Sequence, residues 1–311
     1  MVNGCCARNG YTCACFPLPH ARTTMDASLT RFLFDALDVR GAFVRLGAVW
    51  QHLHARRTWP PPVAHLAGEL SAVAALIAGN LKQPGRITLQ IQGHGIVPLA
   101  VADCTENLAL RAMARCAEAL PPALPATARA LVGDGQLQLT LDTPALGEPW
   151  TSLVALEGET LAEIFAHYLE HSEQQPTRLF LAADANNAAA LFLQALPPKA
   201  PVQDADGWQR VSTLAATVRR EELLTQEAPA LLARLFAEED VRVFAPRPIA
   251  VAPPPSREKL ARVLLSIGEA EARAILKERG ELRIDDELSN HSEIFRAEDL
   301  DALFSATGQP S

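Results

Sequence analysis

The stretch that decides the fold of this chain's C-terminal part is PPPSREKLARVLLSIGEAEARAILKERGELRIDDELSNHSEIFRAEDLDALF, residues 253–304. Ser256 follows three prolines and is a favourable helix N-cap. Apolar residues then recur at helical spacing as far as Gly268, which predicts a first helix that ends at this glycine. A second short helix should end at Gly280. The first half of the stretch is therefore predicted to be a pair of short helices.

The second half of the stretch completes a small module. Glu281–Ile284 alternates like a short strand, and Ile294–Phe304 is typical of a strand followed by a last helical turn. A module of about 50 residues has only a marginal apolar core, and most modules of this size hold a metal or a disulfide. This one contains no cysteine, and its only histidine is His291.

The module resembles the C-terminal redox-switch domain of the Hsp33 family in three motifs: SREK, EAEARAILKERGEL and SNHSEIF. The members of this family are heat-shock chaperones of the bacterial cytosol. In that family a Cys-x-Cys pair and a Cys-x-x-Cys pair bind zinc through four thiolates. The resemblance places these positions at Pro253, Pro255, Asp286 and Ser289. Proline has no side-chain ligand, so the thiolate zinc site cannot form at these positions, and we expect neither metal nor other cofactor.

The resemblance extends over residues 28–304. The motifs that carry it are FDALDVRG (34–41), ITLQIQGHG (87–95), LVGDGQLQLTL (131–141), LEGETLA (156–162) and SEQQPTRL (172–179). It implies an α+β fold with three parts: a large N-terminal domain of mainly antiparallel sheet with packed helices, a helical linker, and a small C-terminal domain like the zinc switch without its ligands.

Hydrophobic periodicity also favours an α+β fold. It predicts a helix over Leu29–Leu37, a strand over Gly41–Leu46 and a long apolar helix over Val63–Leu81 that should lie buried under a sheet. Ile87–Gln92 and Val97–Ala102 flank a glycine-rich turn, which is typical of a hairpin. Strands that follow one another with few helices between them indicate a mainly antiparallel sheet rather than a doubly wound one.

The start of the resemblance near Ser28 and the proline-rich stretches further along the chain suggest four segments. We expect a disordered extension over 1–27, the N-terminal domain over 28–198, the helical linker over 199–248 and the small domain over 249–311. Within the linker, Asp204–Arg220 is predicted to form one helix.

The second part of the linker carries an apolar stripe beside acidic runs. Its members are Leu223, Leu224, Leu231, Leu232, Leu235 and Phe236. The pattern alone is that of an ordinary helix facing a core. In the Hsp33 family the linker is metastable and its exposure creates a surface for unfolded clients, so the resemblance implies that this stripe binds clients.

Charge and composition argue against some binding partners and indicate where the protein is located. The formal net charge is −8, which argues against binding to nucleic acid or to an anionic membrane. We also expect no apolar run to approach the length of a membrane span. Four of the six cysteines stand in the first fifteen residues, at Cys5, Cys6, Cys13 and Cys15. Because no signal-peptide core accompanies them, we expect free thiols in a reducing cytoplasm.

The sequence contains no motif of an enzyme. Gly-x-Ser-x-Gly, Walker and His-Glu-x-x-His patterns are all missing. His167 and His171 have the i, i+4 spacing of a metal pair but no evident third ligand. Cys104 and Cys116 are lone thiols, which are more often structural than catalytic. We therefore expect a protein without enzymatic activity.

Three functional hypotheses remain. The first is an ATP-independent holdase chaperone that binds unfolding proteins and prevents their aggregation, is not switched by zinc-cysteine oxidation, and forms a homodimer when active, as the family does. The second is a non-chaperone interaction module on the same fold that binds one folded partner. The third is a redox or metal sensor that uses the N-terminal cysteines.

Overall fold

The computed structural model describes residues 27–55, 57–145, 147–197, 204 and 206–307. Within these residues the fold is α+β, as predicted, and nearly all of its strands are antiparallel. The N-terminal extension with its four cysteines lies outside the described residues.

Strands mostly follow one another in runs of two or three, with one to three helices between the runs. The strands are β1 (Ser28–Phe34), β2 (Val39–Arg45), β3 (Arg86–Gly93), β4 (Leu99–Cys104), β5 (Ala109–Arg115), β6 (Gly135–Asp142), β7 (Trp150–Val154), β8 (Thr177–Ala183), β9 (Ala188–Ala195), β10 (Val241–Val243), β11 (Arg247–Pro248), β12 (Ala250–Val251), β13 (Leu282–Asp286) and β14 (His291–Phe295). The helices are α1 (Gly47–His54), α2 (Pro61–Asn80), α3 (Ala128–Val132), α4 (Leu161–Glu173), α5 (Gly207–Ala215), α6 (Arg220–Thr225), α7 (Ala228–Leu235), α8 (Arg257–Ile267), α9 (Glu269–Arg279) and α10 (Ala297–Thr307).

Two six-stranded sheets form the body of the protein. The first sheet has the order β10-β1-β2-β9-β8, with β11 also paired to β1. The second has the order β12-β5-β4-β3-β6-β7, in which β12 runs parallel to β5. The predicted strand β2 and hairpin β3–β4 are confirmed.

Helix α2 is the centre of the body and packs against strands of both sheets. Its apolar residues occupy nearly every face, so it is stable only where protein surrounds it. Contrary to expectation, it is long and apolar enough to cross a membrane, with a mean hydropathy of 1.4, and it is alone in this among the described helices. However, 78% of that stretch is buried inside the protein, as in the core helix of a soluble fold.

Buried apolar side chains form three separate clusters. The largest surrounds α2 between the two sheets, and a second lies on the opposite face of the first sheet, beneath α5, α6 and α7. The third belongs to the C-terminal module and consists of Leu260, Leu264, Ala272, Leu282, Phe295 and Leu300.

Two predicted helices are wrong. Most of Leu29–Leu37 is strand β1, because Leu29–Phe34 pair with β2. The same strand also pairs with β10 and β11. Such long-range pairing overrides the weak helical spacing of a short apolar segment. Asp204–Arg220 contains α5 but breaks after Ala215, and α6 begins only at Arg220.

The segment after the linker helices differs most from the sequence-based expectation. The linker, residues 199–248, was predicted to be helical, but its last part forms strands β10 and β11, which pair with β1. Strand β12 follows directly and pairs with β5. At the C-terminus, α10 is a full helix rather than one turn.

Gly41 provides a test of the packing beneath the linker. It lies opposite Phe32 in the β1–β2 pairing, and an added Cβ would lie 2.1 Å from Phe32 Cζ. Gly41→Ala should push this buried ring out of its site against Phe236 and lower the free energy of unfolding by about 1–3 kcal/mol, as measured by urea denaturation.

The matched comparison is the same substitution in a Phe32→Leu background. There Gly41→Ala should cost clearly less, because the ring that it displaces is gone. An equal cost in both backgrounds would contradict this account of the glycine.

Candidate functional site

The apolar stripe of the linker lies against the first sheet. All six predicted residues are buried: Leu223, Leu224, Leu231, Leu232, Leu235 and Phe236. We call this set the linker face. The sheet side of the contact includes Phe32, Phe34 and Phe43, and Phe236 meets Phe34 edge-to-face with ring centroids 4.9 Å apart. The structure thus brings the six residues together on one continuous, covered surface.

Asn187 fastens the linker to the sheet through a buried hydrogen bond. Its Nδ2 donates to the backbone oxygen of Leu224 at 2.6 Å, while its Oδ1 accepts from the backbone nitrogens of Gly47 and Ala188 at 2.7 and 2.9 Å. One amide therefore joins α1, the β8–β9 turn and α6. The sequence does not reveal this role, because Gly47 and Leu224 are distant in the chain and no local pattern points to them.

Charged groups of the linker also reach the body. Arg220, at the start of α6, donates to the backbone oxygen of Ala183, and Glu227 is paired with Arg45 of β2. Within the linker, the carboxylate of Glu222 accepts from the backbone nitrogen of Arg219 at 2.9 Å and from Arg234 Nη2 at 2.5 Å. Hydrogen bonds from Arg219 hold the pKa of Glu222 below its ordinary value, so this glutamate joins α6 to α7 as an anion.

A partly buried acidic group, Glu69 of α2, faces Arg220 at the start of α6. Burial raises the pKa of Glu69, on α2, from 4.5 to about 7, and the positive charge of Arg220 offsets part of this rise. Burial, followed by the charge of Arg220, also lowers the pKa of the neighbouring His65. Arg220 therefore serves both as a hydrogen-bond donor and as the cation that faces the acidic side chain of the central helix.

The four positions of the family's zinc cysteines do not fit a tetrahedral thiolate site. The side chains of Pro253 and Pro255 contain no atom that could bind a metal. The other two positions are hydrogen-bonded to each other, since Ser289 donates to Asp286 Oδ2 from Oγ and, at 3.3 Å, from its backbone nitrogen. In the described parts of the chain, no group of three or more His, Cys, Asp or Glu side chains could hold a metal ion.

Arg257 links three elements of the C-terminal module. Its guanidinium contacts Glu293 at 3.2 Å and Asp299 at 2.9 Å, and it lies 4.7 Å from the ring centroid of the buried Phe295. Helix α8, strand β14 and helix α10 thus share one cation. The sequence contains this residue within the SREK motif, but its role depends on contacts that only the folded module makes.

The other sequence candidates are not brought together. His171 turns its Nδ1 to the backbone oxygen of His167 at 2.8 Å, which is a local contact on the surface of α4. Burial raises the pKa of the Cys104 thiol to about 12 and also raises that of Cys116, so both thiols are protonated and poorly reactive at neutral pH.

Comparison with known proteins identifies the class first. The chain is 40% identical to the 33 kDa chaperonin of Pseudomonas paraeruginosa over 283 residues, which covers 89% of this chain and 94% of that protein. It is 37% identical to the 33 kDa chaperonin of Neisseria meningitidis serogroup A over 275 residues, covering 88% and 90% respectively. The relatives are thus chaperones, a class defined by the binding of unfolded proteins rather than by catalysis.

A family model gives the family, and a solved structure gives the fold. The model of the Hsp33 protein family matches residues 27–296, and the chain belongs to the Hsp33 family, as its motifs predicted. The crystal structure of the 33 kDa chaperonin (HSP33) from Thermotoga maritima superposes with a TM-score of 0.74 at 22% identity, covering 90% of this chain and 98% of that one. This likeness confirms the predicted α+β fold.

The raised pKa of Glu69 predicts an unusual pH dependence of stability. The folded protein holds the proton more tightly than the unfolded chain between about pH 4.5 and 7, so the contribution of this group is lost as the pH rises through that range. Glu69→Gln should therefore gain stability relative to the parent by about 2–3 kcal/mol between pH 5 and pH 8, measured by urea denaturation at each pH.

Glu157→Gln, on an exposed loop, is the control, and its difference from the parent should stay constant with pH. A difference for Glu69→Gln that is also constant with pH would show that this carboxyl titrates normally in the folded protein.

Proposed function

We propose that this protein is an ATP-independent holdase chaperone whose client-binding surface is the linker face. The observation that carries the proposal is the burial of six large apolar side chains together on one sheet. When the linker helices leave the sheet, they present a contiguous apolar surface, which is the kind of surface that captures partly unfolded chains and keeps them from aggregating.

The trigger proposed here is heat, or none at all, rather than oxidation of zinc-bound cysteines. Neither proline nor the Asp286–Ser289 pair can replace a thiolate whose oxidation releases a metal. The linker helices are short and lie on the outside of the first sheet, where a few polar contacts, among them those of Asn187 and Arg220, add to their apolar packing. Segments of this kind open at a lower free energy than the core of the same protein.

The test is light scattering of a thermally aggregating client protein, with this protein added in reductant or in peroxide, and with or without preheating. Suppression in reductant, whether immediate or only after preheating, supports the proposal. Activity that requires peroxide would contradict it and would point to the N-terminal cysteines. If no condition gives suppression, the chain is better explained as a module that binds one folded partner.

Variants of α7 connect the activity to the linker face. Leu231→Ser removes a buried apolar contact, whereas Ala233→Ser changes an exposed position of the same helix. Both are compared after preheating, when the helices are released and their docked stability no longer matters. Leu231→Ser should raise the amount of protein needed for half suppression severalfold, and Ala233→Ser should not.

Metal removal gives an independent prediction. Incubation with a strong zinc chelator should leave the thermal unfolding of the full chain unchanged, because the module is held by its apolar cluster and by Arg257 rather than by a metal. Differential scanning calorimetry with and without chelator measures this. A fall in the unfolding temperature with chelator would show that a metal site exists and would overturn this part of the proposal.

A further inference from the structure

The loop between β13 and β14 contacts the body of the protein through Glu287. The backbone oxygen of Glu287 accepts from Arg57 Nη2 at 2.6 Å, and its Oε2 lies 2.7 Å from Arg115 Nε. Arg57 follows α1 and Arg115 ends β5, so both arginines belong to the body. A single residue of the module thus meets two cations.

Arg57 also has partners within the body. The same Nη2 donates to the backbone oxygen of Ala112 at 3.2 Å, and the guanidinium lies 5.3 Å from the ring centroid of Trp59. Trp59 in turn donates from Nε1 to the backbone oxygen of Ala114 at 2.8 Å. Burial lowers the pKa of Arg57, and the charges of Glu287 and then Asp286 oppose this, so both carboxylates face it.

The contact between module and body is polar and loosely packed. The apolar cluster of residues 253–304 contains residues of this stretch alone, and neither cluster of the body extends into it. A cavity of about 30 Å³ lies between the two parts, lined by His52, Leu53 and Arg111 on one side and by Ser289 and Asn290 on the other. This space is sufficient for about one water molecule. Shared apolar burial therefore contributes little to the docking.

We propose that Glu287, Arg57 and Arg115 form an electrostatic latch that docks the C-terminal module on the body. The latch lies in the loop where the family carries its second cysteine pair, so that ionic strength takes the place of oxidation as the condition that controls docking. This inference rests on the proposed function and adds a means of regulation to it. Charges at such exposed contacts are screened strongly between 0.05 and 0.5 M salt, where the Debye length falls from about 14 to about 4 Å.

The test uses the full chain and the NMR resonance of the Trp59 indole N–H, which reports on the arginine stacked against it. This resonance, assigned with Trp59→Phe, should move with increasing sodium chloride as the latch opens. In low salt, the Trp59 resonance of the Glu287→Gln variant should already be shifted from the parent's low-salt position toward its high-salt position. The opening equilibrium should shift roughly two- to fivefold, as is usual for one exposed ion pair.

The control is Glu281→Gln, which removes the same charge from an exposed position just before β13 and should leave the resonance at the parent position. The charge reversal Arg115→Glu combined with Glu287→Arg should return the resonance toward that position. Equal shifts for Glu281→Gln and Glu287→Gln, or no recovery in the double variant, would overturn the latch.

Client aggregation measured in the same buffers separates the latch from the proposed function. Glu287→Gln should suppress aggregation after milder preheating than the parent does. If the resonance moves as expected while the two proteins need the same preheating, the regulatory part of the inference fails. If neither protein suppresses aggregation under any condition, the proposed function fails and the latch is judged by the resonance alone.

Discussion

The structure depends on the first sheet being apolar on both faces. Strand β9 is buried along almost its whole length, because one side of the sheet packs on α2 and the other on the linker helices. A sheet with two apolar faces must be covered twice, since exposed apolar area is costly in water. The linker helices are the second cover, and the covering side chains are themselves the most apolar part of the linker. The same apolar contact therefore buries both this face of the sheet and the linker face.

If the proposed function holds, this arrangement lets a stable body carry a surface suited to unfolded proteins. The two-sheet core around α2 shares no buried cluster with the linker contact, so the linker can leave while that core persists. Polar groups at the contact, above all Asn187 and Arg220, fix where the helices lie and add little burial of their own. Apolar area thus supplies most of the docking energy, and hydrogen bonds supply its register.

In the C-terminal module, side-chain contacts other than metal coordination join the elements. Where the resemblance places two thiolates, Ser289 and Asp286 close a turn between β13 and β14. Arg257 joins two carboxylates and an aromatic ring, which ties together the elements around a core of only six buried residues. Such ionic contacts are weaker and more sensitive to salt than coordination bonds, so the module is expected to respond to conditions that a zinc site would resist.

The sequence by itself determined the family and the α+β class, because the motifs that carry them can be read directly from the residues. It also determined that the linker stripe would face a core, since helical periodicity records burial directly. Only the tertiary structure decided that Leu29–Leu37 is largely a strand, that residues 241–251 return to both sheets, and that Asn187, Arg257 and Glu287 have distant partners. The physical reason is that strand pairing and ion pairs join residues far apart in the chain, and no local pattern contains the identity of the second partner.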